Sequence, residues 1–582
     1  MSKGELTMAW QQTYERWNQY EELEPHLRTE LDEMAKNETT LEEAFYKTLE
    51  FGTGGMRGEI GPGANRMNVY TIRKAAQGFA DFISASGEEA KRHGVVIAHD
   101  PRHYSPEFAL EAARTFASNG IKTYLFSSLR TTPELSFAVR HLGAFGGVVI
   151  TASHNPPEYN GFKVYGADGG QLPPAEADEL VSYVNAIEDE LSIPVREEAT
   201  LRADGTLVTV DDSVDAAYME ALQSIRIRKD VQTADLKIVF SPLHGTGRRP
   251  IMEGLKAYGF DHVTIVEEQA EPDGAFPTVS SPNPEERAAF KLAMEYGDRV
   301  SADLLMATDP DGDRVGFTVR DRDGEWFVLT GNQTGALLMD YILSQKVETG
   351  TLPANGFVAK TIVTSELGAA IAKAYDIHLE NTLTGFKFIG EKIKQYEESG
   401  EYEFLFGYEE SYGYLIGDFC RDKDAVQACL LGAEMAAYHK EQGRTLYDAL
   451  QAIYEKYGFY EESLQSMTLK GKAGLEQIGR MMEAFRANPP QEVAGYEVAR
   501  FEDYKQQVAT DLRQNTTENI ELPSSNVLKF VFEDGSWFCL RPSGTEPKIK
   551  FYFSVHADSA ETTTAKREAI ERDVMKQAKA ID

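Results

Sequence analysis

Ser153 stands in T-A-S-H-N-P (Thr151 to Pro156), directly after the apolar run Val148-Val149-Ile150. A hydroxyl at the carboxyl end of a buried strand is presented at a loop edge, where ligands bind in open α/β sheets. A serine hydroxyl is a weak nucleophile and needs a base or a metal to activate it. No G-x-S-x-G elbow surrounds Ser153, so acyl transfer is a poor reading. The plain alternative is a serine that caps a helix start, helped by the His154-Asn155-Pro156 turn. Far along the chain, D-P-D-G-D-R (Asp309 to Arg314) alternates three carboxylates, while Pro310 and Gly312 force tight turning. Such oxygen ligands suit Mg²⁺, which takes few carboxylates plus a phosphate oxygen. An EF-hand fails here: the sixth loop position is Arg314, the twelfth is Arg320, and a strand precedes the loop. Arg314 beside the carboxylates favours a phosphate next to the metal. The bland alternative is a solvated acidic turn. A serine and an acidic metal loop together point to phosphoryl transfer.

Weaker signals lie elsewhere. In R-P-S-G-T-E-P-K (Arg541 to Lys548), Arg541 can grip phosphate bidentately, Ser543 and Thr545 add hydroxyls, and Gly544 lets backbone N–H groups approach. An ordinary Ser-Gly turn is the alternative. G-Y-E-E-S-Y-G offers Glu409, Glu410 and Ser411, a donor and acceptor set that suits sugar hydroxyls, although a Glu pair is usually a solvated face. Lys163 in N-G-F-K-V-Y and Lys387 in G-F-K-F-I-G are cations in apolar surroundings. Each could meet phosphate or move a proton, and a snorkelling lysine is the commoner case. There is no G-x-x-x-x-G-K-[ST] loop and no H-E-x-x-H site.

The elements that must hold these groups follow one pattern. The first fifty residues read as helical, with Trp10, Tyr14, Trp17 and Tyr20 three and four apart. A Gly-rich loop, Gly52 to Gly58, follows. Short apolar strands then end in polar or small-residue loops, each expected to lead into a helix. Val95 to Ala98 leads to Asp100-Pro101-Arg102, and Ile238 to Phe240 leads to S-P-L-H-G-T-G. Leu304 to Met306 leads to the Asp loop, and Phe404 to Phe406 leads to G-Y-E-E-S. Alternating strands and helices argue for mostly parallel sheets covered on both faces. Seams are expected near Gly205, near Gly324 and after Tyr457. Beyond them the texture changes. Leu528 to Phe532 and Trp537 to Leu540 flank the hairpin signal Asp534-Gly535, Lys548 to Val555 alternates, and Ala560 to Lys579 reads as a helix.

With 582 residues, 42% hydrophobic and 26% charged, the chain has the length and composition of a globular protein with about four domains. A formal net charge of -34 disfavours nucleic-acid and anionic-membrane partners, which need positive surface. Any phosphate must therefore meet a local basic pocket. Cys420, Cys429 and Cys539 are too dispersed for a disulfide framework or a cysteine zinc site, which fits a reducing cytoplasm. The first residues hold no apolar stretch of signal-peptide length, and no run approaches a membrane span.

Together the four motifs, in this order, resemble the α-D-phosphohexomutase superfamily from about Gly52 to Val555. The resemblance implies an α/β fold: three related α/β domains with mixed, mostly parallel sheets, plus a C-terminal α+β domain of the TATA-binding-protein type, around a central cleft. The expected divisions are 1–210, with the helical extension and serine loop; 211–325, with the metal loop; 326–457, with the sugar loop; and 458–582, with the phosphate loop. By the resemblance Ser153 is the phosphoserine, and its phosphate joins Asp309, Asp311 and Asp313 around Mg²⁺. Arg57 matches an arginine near the phosphoserine, and His154 and Lys163 flank the transferring phosphate, with Lys163 as general base or acid. Arg314, Lys387, Glu409 and Ser411 face the substrate. Arg541, Ser543, Gly544 and Thr545 grip the phosphate that is not transferred. The implied reaction interconverts glucose 1-phosphate and glucose 6-phosphate through glucose 1,6-bisphosphate, which serves as intermediate and activator.

Two positions depart from the common family pattern: Tyr408 and Tyr412 flank the Glu-Glu-Ser core, and Lys550 stands where many members carry arginine. The N-terminal extension and the T-A-S-H-N-P form are most similar to the long subgroup. Pentose-phosphate and mannose-phosphate mutases are alternatives within the family. A metal-dependent sugar phosphatase and a non-catalytic sugar-phosphate binder are alternatives outside it. The expected partner is a sugar phosphate, with no nucleic acid and no membrane, and the protein is expected as a cytoplasmic monomer or weak homo-oligomer.

Overall fold

The computed structural model describes residues 3–52, 54–469, 471–543 and 547–581. It divides into two compact units. The first comprises Met1–Leu329, Gly390–Phe404 and Tyr412–Gly443; the second comprises Thr330–Ile389, Leu405–Ser411 and Arg444–Asp582.

The first unit opens with helices Lys3–Gln19, Pro25–Met34 and Glu38–Phe45, as the aromatic spacing predicts. Trp17 is fully buried, lies edge-on to Phe45 and Tyr70, and donates its indole N–H to Glu190 at 2.7 Å. The extension is thus built into the first core. The first sheet runs Phe51–Gly52, Gly55–Glu59, Tyr159–Gly166, Gly146–Ile150, Val95–His99, Thr123–Phe126, Leu207–Val210. The last four strands are mutually parallel and the others pair antiparallel. Val95–His99 and Gly146–Ile150 are buried at every position, because helices cover both faces of a parallel core. The second sheet runs Trp326–Val328, Val315–Arg320, Leu304–Thr308, Lys237–Ser241, His262–Ile265, again antiparallel at one edge and parallel at the other.

The antiparallel edges correct the strand-then-helix expectation where it matters most. After both the Ser153 loop and the Asp loop the chain turns back as a strand, not a helix. Ser153 is therefore no helix cap. Close approach makes the first return possible: a Cβ on Gly161 would sit 2.5 Å from the Thr151 carbonyl oxygen. The Gly-rich stretch after Phe51 is likewise a tight pair of strands, with Gly52 opposite Gly55, and Arg57 lies on the second of them. The turn at Gly324 joins two paired strands, so the second sheet continues to Val328.

Helix Ala425–Glu441, also in the first unit, begins at a buried N-cap. Asp424 accepts from the Val426 and Gln427 amides at 2.9 and 3.0 Å and from the Tyr218 hydroxyl at 2.8 Å. Burial nevertheless outweighs these donors and pushes its carboxyl up to about 6. A carboxyl raised on folding stabilises the protein fully below its unfolded value and loses that contribution as pH rises through the folded one. Asparagine keeps the cap without titrating. The unfolding free energy of Asp424→Asn relative to wild type should therefore improve by about 1–3 kcal/mol between pH 4 and pH 7, read from urea unfolding at each pH.

In the second unit, strands Gly356–Thr361 and His378–Thr382 pair in parallel, and residues 405–409 of the next strand lie beside the former. Tyr408 is fully buried against two glycines. A Cβ on Gly335 would meet its ring at 2.2 Å, and one on Gly368 would meet its hydroxyl at 2.4 Å. The missing side chains make room for the phenol. The C-terminal sheet is antiparallel and runs Phe459–Thr468, Lys548–Ala557, Trp537–Pro542, Leu528–Phe532, Tyr496–Asp503, Val508–Asp511, Thr516–Asn519. Helices Gly471–Ala487 and Ala560–Lys579 bury Met481, Met482, Ile570 and Val574 against Phe530, Phe538, Phe551 and Phe553. The alternate residues Trp537, Cys539 and Tyr552 form the opposite face, in one cluster with Ile362, Val363 and Leu383. The architecture is thus three α/β/α domains with mixed sheets and a C-terminal antiparallel-sheet domain. Among the described residues no helix is long and apolar enough to cross a membrane.

Candidate active site

Strand Gly146–Ile150 delivers Ser153 into a buried turn at φ 52, a left-handed conformation that costs a non-glycine residue about 1–3 kcal/mol. The surrounding loop enforces it. The Ser153 amide donates to Thr151 Oγ1 at 2.8 Å, and Thr151 Oγ1 donates to Asp100 at 2.7 Å. The fully buried Arg102 donates to four carbonyls of the same loop: Ser153 at 2.7 Å, Pro156 at 2.8 Å, Tyr159 at 3.0 Å, and Asn155. Its guanidinium also pairs with Asp100 at 3.2 Å and lies over the Phe276 ring at 5.0 Å. The serine hydroxyl is then free to point away from its own loop. Ser153 Oγ donates to Asp309 Oδ2 at 2.7 Å and lies 3.2 Å from His154 Nδ1.

The carboxylates of Asp309, Asp311 and Asp313 are all buried, with one oxygen from each within 4.8 Å of the others. Gly312 turns the loop at φ 68, and a Cβ there would press on Thr131 at 2.7 Å. Burial first, then Asp311 and Asp313, hold Asp309 well above the usual carboxylate range. Around Asp313 burial acts in the same direction, but Lys423, Lys163 and Arg314 outweigh it and hold that carboxyl down. Lys163 Nζ lies 2.7 Å from Asp311 Oδ2 and 3.2 Å from Asp313 Oδ2, so it is an ion-paired lysine and not a snorkelling one. Burial lowers its basicity, but Asp311 and Asp313 more than compensate and keep it charged. His154 is pushed well below its ordinary value by burial, then by Arg314 and Arg57, and stays neutral. Arg314 pairs with Glu285 at 2.8 Å, and Arg57, on the exposed face, donates to Asn155 at 2.9 Å.

Whether the acidic loop fits a cation can be judged from its own oxygens. One oxygen of each aspartate is already engaged within the protein: Asp309 Oδ1 by the Asp313 and Arg314 amides, Asp311 Oδ2 by Thr132 and Lys163, Asp313 Oδ2 by Lys163 and Lys423. Asp311 Oδ1 and Asp313 Oδ1 are buried without a hydrogen-bond donor. Buried carboxylate oxygens with no donor are costly, and a hard divalent ion is the ligand that resolves them. The set can hold a metal.

The first unit therefore brings together Ser153, His154, Lys163, Arg57, Asp309, Asp311, Asp313 and Arg314. Lys387, Glu409, Ser411, Arg541 and Ser543 belong to the second unit. There Glu409 is buried and accepts from the Gly385 amide at 2.9 Å, while Glu410 accepts from Thr361 and Thr364 at 3.3 and 3.1 Å. Lys387 lies 5.2 Å above the Phe388 ring, and Ser411 is half-buried. Arg541 is paired across the hairpin with Lys550, and the Ser543 amide donates to the Lys548 carbonyl at 2.7 Å. Gly544 and Thr545 lie outside the described residues.

Four residues that sequence motifs did not single out complete the first-unit site: Asp100, Arg102, Thr132 and Lys423. Asp100-Pro101-Arg102 was visible as a strand-end loop without a partner. Thr132 sits in T-T-P ahead of a helical run, and Lys423 in D-K-D ahead of another. Both look like capping sequence until the fold brings them to the Asp loop.

Comparison with known proteins agrees along the chain. Models described as Phosphoglucomutase/phosphomannomutase alpha/beta/alpha domains I, II and III match residues 48–191, 216–324 and 330–457, and the C-terminal domain model matches 484–571. The chain is 41% identical over 525 residues to a phosphoglucomutase of Staphylococcus haemolyticus, covering 90% of this chain and 93% of that protein. It is 40% identical over 531 residues to one from Staphylococcus aureus, covering 91% and 93%. A solved phosphoglucomutase/phosphomannomutase family protein from Burkholderia thailandensis shares the fold, with a TM-score of 0.64 at 19% identity over 91% of this chain and 97% of that one.

Proposed function

Because the chain belongs to the phosphoglucomutase/phosphomannomutase family, an enzyme of the phosphoglucomutase type, we propose that it moves phosphate between C1 and C6 of glucose through a phosphoserine at Ser153. One observation carries the residue assignment: the Ser153 hydroxyl donates to Asp309 at 2.7 Å, beside buried Asp311 and Asp313, each of which has one oxygen without a donor. A phosphate on that oxygen would add up to two negative charges beside Asp309. Such an arrangement demands a cation, and the two donor-free oxygens are where one would bind. Asp309, Asp311 and Asp313 would hold Mg²⁺, which would neutralise charge on the transferring phosphoryl oxygens.

The residues of the chain do the rest. Phospho-Ser153 passes its phosphoryl group to the free hydroxyl of a sugar monophosphate: the P–Oγ bond breaks, a P–O bond to the sugar forms, and glucose 1,6-bisphosphate results. The bisphosphate then returns its other phosphate to Ser153. Charged Lys163 would donate the proton that the departing Ser153 oxygen needs, while neutral His154 would take the proton of the attacking sugar hydroxyl, and in the return step each transfer runs in reverse. Arg57 and Arg314 supply positive charge for the phosphoryl oxygens, as such transfers require. Lys387, Glu409 and Ser411 take the sugar, and Arg541, Ser543, Gly544 and Thr545 take the phosphate that stays. The acidic surface and three buried free cysteines support a cytoplasmic setting.

Intact-mass analysis of the purified protein tests this directly. The expected result is a population heavier by one phosphate, with the adduct mapped to Ser153 and lost on adding glucose 6-phosphate. A full complement of turnover from protein that never carries phosphate on Ser153, even after incubation with glucose 1,6-bisphosphate, would overturn the assignment.

A further inference from the structure

Among the described residues, the Asp311 carboxylate accepts no hydrogen bond from Ser153 and none from an amide of its own loop, yet it has a fixed orientation. The cause lies in a different domain. Helix Thr132–Leu142 points its first turn at the Asp loop. The Thr132 amide donates to the Asp311 carbonyl at 2.8 Å, and Thr132 Oγ1 donates to Asp311 Oδ2 at 2.9 Å. Lys163 takes the same oxygen at 2.7 Å. Both donors load Oδ2, and Oδ1 is left buried with no donor. One carboxylate oxygen is saturated and the other is left open.

The helix start is itself anchored. Thr131 caps it by accepting from the Glu134 amide at 3.2 Å, and a Cβ on Gly312 would press on Thr131. The preceding residue, Arg130, is buried. It holds both oxygens of Asp215 at 2.8 and 2.9 Å, lies 3.7 Å from Glu134, and its amide donates to the His99 carbonyl at 3.1 Å. Asp215 is held from its other side by Arg249 at 2.9 Å. Thr132 therefore cannot follow Asp311 if that side chain rotates. The N-terminal end of an eleven-residue helix also favours negative charge at this carboxylate.

We propose that Thr132 is a positioning residue for the metal site: by binding Oδ2 it fixes Asp311 with Oδ1 directed at the cation, and so sets metal affinity. This rests on the metal reading of the Asp309–Asp313 loop. A threonine hydroxyl is suited to the task because it donates one hydrogen bond without adding charge. Lys163 alone would leave the carboxylate free to swing about a single flexible partner.

The test is Mn²⁺ binding to the metal-stripped, unphosphorylated protein, followed by calorimetry and by the electron paramagnetic resonance of free Mn²⁺. Wild type, Thr132→Val, Thr132→Ser and Asp311→Asn are compared. Loss of an outer-shell partner weakens metal binding by about 10–100-fold, so Thr132→Val should lose affinity in that range while Thr132→Ser stays within about threefold of wild type. The melting temperature of the metal-free proteins supplies the structural control. Equal Mn²⁺ affinity in Thr132→Val and wild type would overturn the inference, whatever happens to melting. Failure of wild type to bind Mn²⁺, or binding unchanged by Asp311→Asn, would overturn the metal reading instead. Should Thr132→Val not fold, Thr132→Ala, which also lacks the hydroxyl, is read against Thr132→Ser in the same way.

Discussion

Ser153→Ala should lower the interconversion of glucose 1-phosphate and glucose 6-phosphate by about 10⁵-fold or more, the scale on which deletion of a covalent nucleophile acts. Its melting temperature should stay within a few degrees of wild type. The asymmetry follows from where the hydroxyl points. The bonds that shape the loop end on the Ser153 amide and carbonyl, which alanine keeps. The one strong bond of the hydroxyl goes outward to Asp309, a carboxylate that still holds the Asp313 and Arg314 amides on its other oxygen. Alanine at φ 52 is no more strained than serine, so the turn persists. Coupled-assay turnover, circular dichroism and intact mass in the presence of glucose 1,6-bisphosphate read the prediction. Turnover above about 1% of wild type would show that phosphate moves without this oxygen. It would place the transfer on a route without a covalent intermediate at Ser153.

The same contacts show which parts of the site the sequence could disclose. Ser153 and Asp309 each sit within a few residues of a wholly buried strand rich in apolar residues, and a strand end is a local signal. The hairpin at Asp534-Gly535 and the final helix were legible for the same reason: the turn chemistry and the periodicity are contiguous. What failed was the direction of the chain after the two catalytic loops. A buried apolar run reads the same whether a helix or an antiparallel strand follows, and the decision rests on Gly161 allowing the Thr151 carbonyl close. Lys163 illustrates a different gap. Its ion pairs with Asp311 and Asp313 span 148 and 150 residues, and no local pattern announces a partner so far away. Thr132 is further still from Asp311, at 179 residues, and its local context correctly signals a helix start while hiding what that start is aimed at.

Arg102 carries the second large effect, and its removal should damage stability and catalysis by separable routes. Arg102→Met keeps much of the side-chain volume over Phe276 but removes the donors to four loop carbonyls and the partner of a wholly buried Asp100. Breaking a buried ion pair from one side costs about 3–5 kcal/mol, because the remaining charge is uncompensated. Burial already pushes the Asp100 carboxyl up, with Arg102 foremost among the groups opposing it. In the variant, Asp100 should therefore take up a proton on folding, and the loss of stability should be smaller at pH 5 than at pH 8. That sign follows from linkage: a carboxyl raised in the folded state contributes below its unfolded value and loses that contribution as pH rises. Turnover should fall by roughly 10²–10³-fold, since a misplacement of about 1 Å at a reacting group has effects of that size. The double variant Asp100→Asn/Arg102→Met removes the stranded charge. It should recover part of the melting temperature at pH 8 and lose the extra pH dependence, while turnover remains low because the carbonyls of Ser153, Asn155, Pro156 and Tyr159 still lack their clamp. Recovery of activity together with stability would mean that Arg102 serves the fold alone, and that the left-handed turn at Ser153 is held by Thr151 and its neighbours without it.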